Sequence, residues 1–505
     1  MVFETLTSGL GLFLTFDAIA MTAIGCFLGL IIGVLPGLGP LMGIILMTPV
    51  AFYLPPVAGM GLLIAIYVGG SCGGAISAIL LRIPGTPLAA ATLFDGYPMA
   101  QKGRSSKAIG LAIAASSLGG LIGGLFLIFL SPALAIAALQ FAPPEYFALT
   151  LTGLICIAVV SQESTVKGLM VGIVGLMTAT IGMDEFAGVY RFTFGVDQML
   201  GGFHIVAMVV GLFAFSEMFM QIEAGGLDDK PEVKIVRASL HAVVETLRRW
   251  LNLIRSSVIG TFFGAIPGAG GVISAFTSYA VAKSVSHHPE RFGTGVEDGV
   301  IATEAANNAC CGGALIPSLA LAVPGDASTA VLMGALILLG FFPGPELFER
   351  NVDVVGGIFL AYMSANLFLF VLGILFTPVF ASVLKLKKKF LIPIIILLST
   401  IGTFALQASV FDLWVMLGFG VVGYFLRKFD YPLAPMVIGA VLGPICEANF
   451  RRSLVISGND YGIFVERPLA ATILAINLAL LIWVAMPAAL KQRAKGTLAQ
   501  LLGAR

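Results

Sequence analysis

The chain has 505 residues, of which 58% are hydrophobic and 11% charged, with a formal net charge of +1 at pH 7. A water-soluble domain does not need so much apolar material, because its surface would have to be apolar as well. The long apolar stretches exclude a membrane β-barrel, whose strands alternate over about ten residues. A net charge near zero argues against nucleic acid as a partner. The sequence therefore predicts an all-α polytopic membrane protein.

Apolar stretches follow one another along most of the chain, and many reach the roughly 20 residues that cross a bilayer core. Candidate spans lie near residues 18–35, 41–54, 57–83, 108–130, 146–161, 168–183, 203–222, 256–267, 271–283, 307–323, 329–342, 355–381, 391–407, 411–426, 432–446 and 469–488. Several are too short for a bilayer or contain Pro and Gly. We therefore expect roughly 10–12 true spans, with the remainder as broken or re-entrant helices.

The longest polar interval divides the chain into an N-terminal membrane repeat at 1–222, a connector at 223–250 and a C-terminal membrane repeat at 251–505. The connector carries five basic residues, which predict a cytoplasmic location: Lys230, Lys234, Arg237, Arg248 and Arg249. The C-terminal tail is also basic and is expected to be cytoplasmic by the same rule. In contrast, no Lys or Arg occurs before Arg82.

The two halves carry the same two motifs in the same order. "GVLPGLGP" from Gly33 and "GAIPGAGG" from Gly264 share the spacing G-x-x-x-G-x-x-P-G-x-G, counted from a glycine four residues upstream. "SCGGAI" at 71–76 matches "CCGGAL" at 310–315, and each is followed by an apolar run that ends in Pro-Gly. One copy follows a terminus without Lys or Arg and the other a basic loop, which predicts opposite orientations. Inverted repeats with broken helices are typical of secondary transporters, whose substrate site lies at the repeat interface.

A helix broken inside a membrane frees backbone groups that hydrocarbon cannot satisfy, so the break must line a cavity or meet a ligand. Half-helix N-termini suit carboxylates, whereas C-terminal carbonyl oxygens suit sodium. The alternative is that the four Pro-Gly breaks are loop ends between spans. The candidate substrate-binding residues are Pro36, Gly37, Gly39, Ser71, Thr86, Pro267, Gly268, Gly270, Asn307 and Asn308. The candidate cation-binding residues are Gly85, Gly325, Asp326 and Ser328.

Two polar groups admit more than one interpretation. Asp326 at a half-helix start is either an N-cap or a cation ligand, since intramembrane carboxylates usually mark ion paths. Glu304, Asn307 and Asn308 have the i, i+3, i+4 spacing of one helix face, which we expect to face the same cavity. The side-chain amides of the two asparagines can bind a carboxylate or a cation, or can instead mediate helix packing.

Motifs for other functions do not occur in the sequence. There is no G-x-x-x-x-G-K-[ST], no H-E-x-x-H and no G-x-S-x-G. We therefore expect no enzyme activity and no ATP hydrolysis on this chain, which leaves an ion gradient as the simplest energy source. The alternatives are a passive channel, in which the breaks form a selectivity filter, and an intramembrane enzyme with Asp326 and Glu304 as a carboxylate pair.

Several of these blocks together resemble a known family. They include "GVLPGLGP", "YVGGSCGGAISAILLRIPGTP", "DGYPMAQKGR" and "EANNACCGGALIPSLALAVPG". Over nearly the whole chain the sequence is similar to the large membrane subunit of tripartite tricarboxylate transporters, although "AVPGD" stands where "GIPG" is expected.

This resemblance implies import of citrate-like di- and tricarboxylates across the bacterial inner membrane, driven by Na+ or H+ and without another cofactor. It also implies a small membrane subunit of the four-helix type and a periplasmic binding protein as partners.

Overall fold

The computed structural model describes residues 2–160, 165–184, 186, 188–225, 235–268 and 270–485. The first half contains α1 (Val2–Phe13), α2 (Phe16–Val34), α3 (Gly39–Phe52), α4 (Pro56–Leu81), α5 (Leu93–Gln101), α6 (Ser105–Ala138), α7 (Pro143–Val160), α8 (Thr165–Ala179), α9 (Ile205–Val210) and α10 (Ser216–Ala224). The second half contains α11 (Ala242–Arg248), α12 (Trp250–Ala265), α13 (Gly270–Ser284), α14 (Glu297–Leu321), α15 (Ala327–Leu338), α16 (Pro345–Arg350), α17 (Val352–Val383), α18 (Lys388–Gln407), α19 (Val410–Lys428), α20 (Ala434–Ile456), α21 (Ile463–Glu466) and α22 (Pro468–Ala485).

Strand structure in the described part of the chain is confined to one short hairpin. It pairs β1 (Gly182–Met183) with β2 (Tyr190–Arg191). Seven helical segments among the described residues are long and apolar enough to cross a membrane, and five shorter apolar helices accompany them. One of the seven is the continuous segment Ile205–Ala224, in which a π-helical turn joins α9 to α10. The all-α polytopic membrane fold is therefore confirmed. The total of roughly 10–12 spans and the opposite orientation of the repeats stay predictions. Within the connector, residues 226–234 lie outside the described residues.

The helices are interrupted at the four Pro-Gly motifs, and we call the interruptions tips in chain order. The first tip (35–38) separates α2 from α3, and the second tip (82–86) follows α4. The third tip (266–268) separates α12 from α13, and the fourth tip (322–326) separates α14 from α15. Two of the short apolar helices, α3 and α15, begin directly after a tip, as expected of half-helices.

The backbone conformation of the tips is duplicated between the halves. The residues that cap α2 and α12 are both extended, Leu35 with φ −78° and ψ 117° and Ile266 with φ −88° and ψ 116°. The residues that cap α4 and α14 are both left-handed, Arg82 with φ 59° and Ala322 with φ 57°. The repeat seen in the sequence is thus a repeat of backbone geometry.

Glycines allow the helix before each tip to touch its neighbour closely. A Cβ atom added at Gly33 of α2 would lie 2.3 Å from the carbonyl oxygen of Gly70 in α4. A Cβ atom added at the equivalent Gly264 of α12 would also lie 2.3 Å from a carbonyl oxygen, that of Cys310 in α14. Both helix pairs therefore pack with their backbones in contact, which small residues permit in membranes.

The two halves contact each other reciprocally. α3 packs against α15, and α13 packs against the 3-10 turn Pro87–Ala89, which stands at the position equivalent to α15. The long helix α6 packs against α14 of the other half, and the long helix α17 packs against α4. Each half therefore packs a long helix against the central helix of the other half, which is the pattern of an isologous, two-fold interface. The central helices α4 and α14 are consequently enclosed on all sides: the buried residues of α14 extend from Gly299 to Ala320.

A cavity between the four tips

All four tips border one cavity of about 1000 Å³. Eight of the predicted site residues line it: Gly37, Gly39, Gly85, Thr86, Gly268, Gly270, Asp326 and Ser328. The remaining wall comes from α10 and from the segment that connects α19 to α20, including Tyr431 and Leu433. The structure therefore brings together predicted residues that lie up to 291 positions apart in the sequence, from Gly37 to Ser328.

The tips within each half are joined by one hydrogen bond at the same place. The amide of Gly37 (φ 89°) donates to the carbonyl oxygen of Gly85 at 3.3 Å. The amide of Gly268 (φ 82°) donates to the carbonyl oxygen of Gly325 at 2.8 Å. Positive φ at both glycines is a conformation that L-residues with a side chain adopt only with strain. These two amides are engaged between tips, so a ligand has to find other donors.

Other donors are available at three helix N-termini that face the cavity. The lining includes residues 39–42 at the start of α3, residues 270–272 at the start of α13, and residues 327–328 at the start of α15. The first N–H groups of a helix have no intrahelical partner. They also carry the positive end of the helix dipole, which stabilises anions. The cavity is consequently suited to carboxylate oxygens.

Asp326 caps α15. One of its carboxylate oxygens accepts from the backbone N–H of Thr329 at 2.8 Å, and the Thr329 side chain completes a capping box. The other oxygen accepts from the hydroxyl of Tyr67 in α4 at 2.5 Å. Asp326 thus connects the fourth tip to the central helix of the other half. The N-cap interpretation is what the geometry displays, and cation binding by Asp326 stays a prediction.

Six predicted site residues do not line the cavity. Pro36 and Pro267 lie in the first and third tips, and Gly325 packs against the carbonyl oxygen of Gly264. Ser71 is buried in α4, where its hydroxyl donates to the carbonyl oxygen of Tyr67 at 2.8 Å. The remaining two, Asn307 and Asn308, belong to the enclosed helix α14.

The polar side chains of α14 point into helix contacts. Asn307 Nδ2 donates to the carbonyl oxygen of Ser71 at 2.9 Å, and Asn308 Nδ2 donates to Asn366 Oδ1 in α17 at 3.5 Å. Glu304 accepts hydrogen bonds from two side-chain hydroxyls, those of Thr92 at 2.5 Å and Ser116 at 2.8 Å. None of the three residues is among those that line the cavity, because other helices enclose α14. Substrate binding by Asn307 and Asn308 stays a prediction.

Two charged cavity residues were not among the predicted site residues. Glu217 on α10 and Arg427 on α19 line the cavity and form an ion pair with each other. A signal for Glu217 was present, since it interrupts the apolar run "FSEMFM", and intramembrane ionisable residues are functional candidates. Arg427 precedes Lys428 at the end of a span, so it resembled an interfacial residue.

The charges in the described cavity lining are two carboxylates, Glu217 and Asp326, and one guanidinium, Arg427. With all three ionised they give the lining side chains a net charge of −1. A di- or tricarboxylate entering this cavity requires further positive charge, which the helix N-termini supply only in part. A cation that enters with the substrate would supply the remainder.

Asp95 of the "DGYP" block has a structural position away from the cavity. One of its carboxylate oxygens accepts from the backbone N–H groups of Gly293, Gly295 and Val296 at 3.0, 2.7 and 2.8 Å. The other accepts from the Tyr279 hydroxyl at 2.9 Å. Asp95 therefore fixes the loop before α14 to the segment that follows the second tip.

The start of α14 is held by a cluster of ion pairs. Glu297 pairs with Arg104 and Lys107 at 2.5 Å each, and also with Arg249. Burial raises the pKa of the Glu297 carboxyl, but the positive charges of Lys107, Arg249 and Arg104 together lower it by more. The net shift of the pKa is therefore downward. The cluster joins α6 and the end of the connector to α14, and its members do not line the cavity.

Comparison with known proteins shows similarity along almost the full length. The profile of the "Tripartite tricarboxylate transporter TctA family" matches residues 19–438. An Agrobacterium vitis protein described as "Uncharacterized 52.8 kDa protein in TAR-I ttuC' 3'region" is 35% identical over 474 residues, which cover 94% of each chain. A second from the same organism, "Uncharacterized protein in TAR-II ttuC' 3'region", is 33% identical over 46% of this chain and 97% of its own. No solved structure matches.

Proposed function

The chain belongs to the tripartite tricarboxylate transporter TctA family, and we propose that it imports citrate-like di- and tricarboxylates across the bacterial inner membrane by Na+ symport. The observation that carries this proposal is the cavity of about 1000 Å³ on which all four tips converge. Substrate sites of secondary transporters lie where broken helices of two repeats meet. As a member of this family the chain is the large membrane subunit of a transporter with three components.

An anionic substrate is supported by the three helix N-termini at α3, α13 and α15 that border the cavity. In this proposal the carboxylates of the substrate contact free N–H groups in the first turns of α3 and α13, because the carboxylate of Asp326 already accepts from the first turn of α15. Gly39 and Gly270 are then the tip glycines nearest to these N–H groups, because the amides of Gly37 and Gly268 already donate to carbonyl oxygens of the neighbouring tips. A tricarboxylate presents several carboxylates to a cavity whose N-termini come from both halves.

Cation coupling is supported by the charge of the cavity. With Glu217, Asp326 and Arg427 all ionised, the described lining side chains are net negative, so an anion enters more favourably together with a cation. Asp326, Ser328 and the carbonyl oxygen of Gly85 are the oxygen groups that we propose for Na+, a hard cation that prefers such ligands. The coupling ion then acts as a counter-charge in the same cavity as the substrate.

The proposed partners follow from membership in a tripartite family. A periplasmic binding protein would deliver the carboxylate, and a small membrane subunit of the four-helix type would complete the transporter. We propose that the basic connector and the C-terminus are cytoplasmic. Residues 486–505 of the C-terminus lie outside the described residues.

Uptake of radiolabelled citrate into proteoliposomes tests the proposal. The full chain is reconstituted with the small subunit, and the binding protein is added outside together with an inward Na+ gradient. Saturable uptake that requires both the gradient and the binding protein is expected. An inward K+ gradient and a proton gradient of equal size serve as the matched controls.

Several outcomes would contradict the proposal. Equal uptake without any ion gradient would exclude coupling, and uptake driven by protons alone would replace Na+ as the coupling ion. Single-channel currents in planar bilayers would favour a passive channel. Release of a chemically altered product would favour an intramembrane enzyme.

A further inference from the structure

Arg427 is the one guanidinium among the described residues that line the cavity. Its side chain is 29% exposed, and one terminal nitrogen pairs with a carboxylate oxygen of Glu217. Its Nε is buried and has no hydrogen-bond acceptor among the described residues. A guanidinium carries five N–H donors in a planar fork that matches a carboxylate in bidentate geometry. Arg427 therefore lines the cavity, and its pair with Glu217 leaves part of its donor capacity unused.

Glu217 lies between this guanidinium and the first tip. A Cβ atom added at Gly37 would be 2.7 Å from Glu217 Oε1, so the tip rests directly on the carboxylate. The same oxygen accepts from Gln221 Nε2 at 2.8 Å. The π-helical turn Gly211–Phe215 immediately precedes α10, and such turns are frequent at functional sites. A movement of Glu217 would consequently change the contact with the first tip.

We propose that Arg427 anchors one carboxylate of the transported substrate, and that Glu217 occupies the guanidinium until the substrate carboxylate replaces it. This inference rests on the proposed function, since it concerns how the same cavity binds an anion. The replacement exchanges one carboxylate for another on Arg427, so the guanidinium keeps a charged partner at every stage. After the replacement Glu217 keeps its hydrogen bond from Gln221 but loses its ion pair with Arg427. The first tip, which packs against Glu217, is then no longer linked to Arg427 through that pair.

A second ion pair between the same two helices provides a comparison. Lys428 Nζ pairs with Glu223 at 2.5 Å, also joining α19 to α10. Both of its side chains are nearly half exposed, and neither residue lines the cavity. If the Arg427 pair only held α10 against α19, removing either pair would affect stability and leave substrate binding alone. Anchoring predicts different results for the two pairs.

The experiment measures binding of citrate, succinate and terephthalate to the full-length chain in detergent by titration calorimetry, for wild type and four variants. Arg427→Gln is expected to weaken the tightest probe by about tenfold or more, since it removes a charge-assisted bidentate contact. Arg427→Lys keeps the charge without the fork and should lie between wild type and Arg427→Gln. Lys428→Gln, the matched control, should bind within about twofold of wild type.

Glu217→Gln gives the sharpest result, because it removes the competing carboxylate. We expect Glu217→Gln to bind the same probe severalfold more tightly than wild type. Citrate uptake should nevertheless fall, because replacement of the Glu217 carboxylate by the substrate would no longer change the contact with the first tip. If Arg427→Gln does not fold, as judged by thermal unfolding, this variant decides the question alone. A gain in affinity in one variant and a loss in the other would be inconsistent with a purely structural pair.

Three results would overturn the inference. Unchanged affinity in Arg427→Gln would exclude anchoring, and weakened or unchanged affinity in Glu217→Gln would exclude the exchange. If wild type neither binds nor transports any of the three probes, the proposed substrate class itself fails. Wild-type uptake of citrate combined with unaltered binding in Arg427→Gln would leave the proposed function intact and remove only the role of Arg427.

Discussion

The first two tips and the last two have the same backbone but different side-chain chemistry. In both halves a glycine at positive φ donates to the next tip, and a left-handed residue ends the central helix. At the equivalent positions after these breaks, however, Thr86 precedes a three-residue 3-10 turn, whereas Asp326 caps the twelve-residue helix α15. The duplicated backbone creates the cavity, and the unduplicated side chains decide which charges lie in it.

This difference suggests that the halves have divided their tasks. The fourth tip holds a carboxylate that is tied to Tyr67 of the first half. The first tip has no charged residue of its own, but it rests on Glu217 and so on the pair with Arg427. Both halves therefore contribute equally to the shape of the cavity. The carboxylate proposed for the cation lies in the fourth tip, and the guanidinium of the cavity lies on the wall that contacts the first tip.

The largest expected effect tests the equivalence of the two backbones. Gly33→Ala and Gly264→Ala each place a Cβ atom 2.3 Å from a neighbouring carbonyl oxygen, and backbone atoms cannot yield as a flexible side chain can. We expect each substitution to lower the free energy of unfolding by about 1–3 kcal/mol through overpacking. Thermal unfolding in detergent measures this loss.

Gly11→Ala in α1 is the control, because no atom lies within 4 Å of a Cβ added there. Removing a helical glycine at such a site should stabilise the protein slightly, by about 0.5–1 kcal/mol. A large loss at Gly33 with none at Gly264 would show that the two helix pairs are not equivalent.

A smaller effect, on coupling, sharpens the chemical difference between the second and fourth tips. Asp326→Asn keeps a good N-cap residue but removes the charge, so thermal stability should stay close to wild type. We expect the apparent Na+ affinity of citrate uptake to fall by about tenfold, the loss of roughly one charge-assisted contact. Sodium titrations of uptake, normalised to folded protein, measure the change.

Thr86→Val is the matched substitution in the first half. The Thr86 hydroxyl is buried without a hydrogen-bond partner, so valine replaces it at nearly the same volume. Apparent Na+ affinity should remain within about twofold of wild type, since the substitution breaks no hydrogen bond of this hydroxyl among the described residues. Equal losses in the Asp326 and Thr86 variants would contradict the division between the tips.

The smallest expected effect concerns the far end of α14. The folded-state pKa of Glu297 lies below its unfolded value of about 4.3. Its ion pairs therefore contribute stability above that pH, and the contribution is lost as pH falls through the folded-state pKa. Glu297→Gln should reduce stability at pH 7 by about 1 kcal/mol or less and flatten the loss of stability in acid.

Thermal unfolding between pH 7 and pH 3.5 checks this prediction. His288→Gln is a suitable control, since that residue forms only an exposed pair with Glu290, with both side chains about two-thirds exposed. If wild type and Glu297→Gln lose the same amount of thermal stability between pH 7 and pH 3.5, the acid sensitivity belongs to other carboxylates.

Much of the fold followed from the sequence, because apolar length and Pro-Gly spacing report directly on helix spans and their breaks. The paired motifs also located the tips that border the cavity, from Gly37 to Ser328. The sequence could not assign the face of α14, because an i, i+3, i+4 spacing says which residues share a face and nothing of what that face meets. Glu304 and Asn308 meet helices that come from elsewhere in the chain.

Arg427 and Glu217 illustrate a second limit. Each belongs to a helix without a counterpart among the repeated motifs, so comparison of the halves gives no information about them. Their proximity depends on how α10 and α19 pack beside the first tip, which is a tertiary fact. A rule that treats every ionisable residue within an apolar run as a candidate would have found Glu217.

The crossed packing of α6 on α14 and of α17 on α4 has a consequence for biogenesis. Ser117 on α6 donates to the carbonyl oxygen of Asn366 on α17, so this hydroxyl of an early helix finds its acceptor on a late one. When the first half leaves the ribosome, this hydroxyl and the flanks of α4 would face lipid or an insertion factor until the second half arrives. We therefore expect that neither half is stable alone and that the transporter reaches its final form only after the whole chain has been inserted.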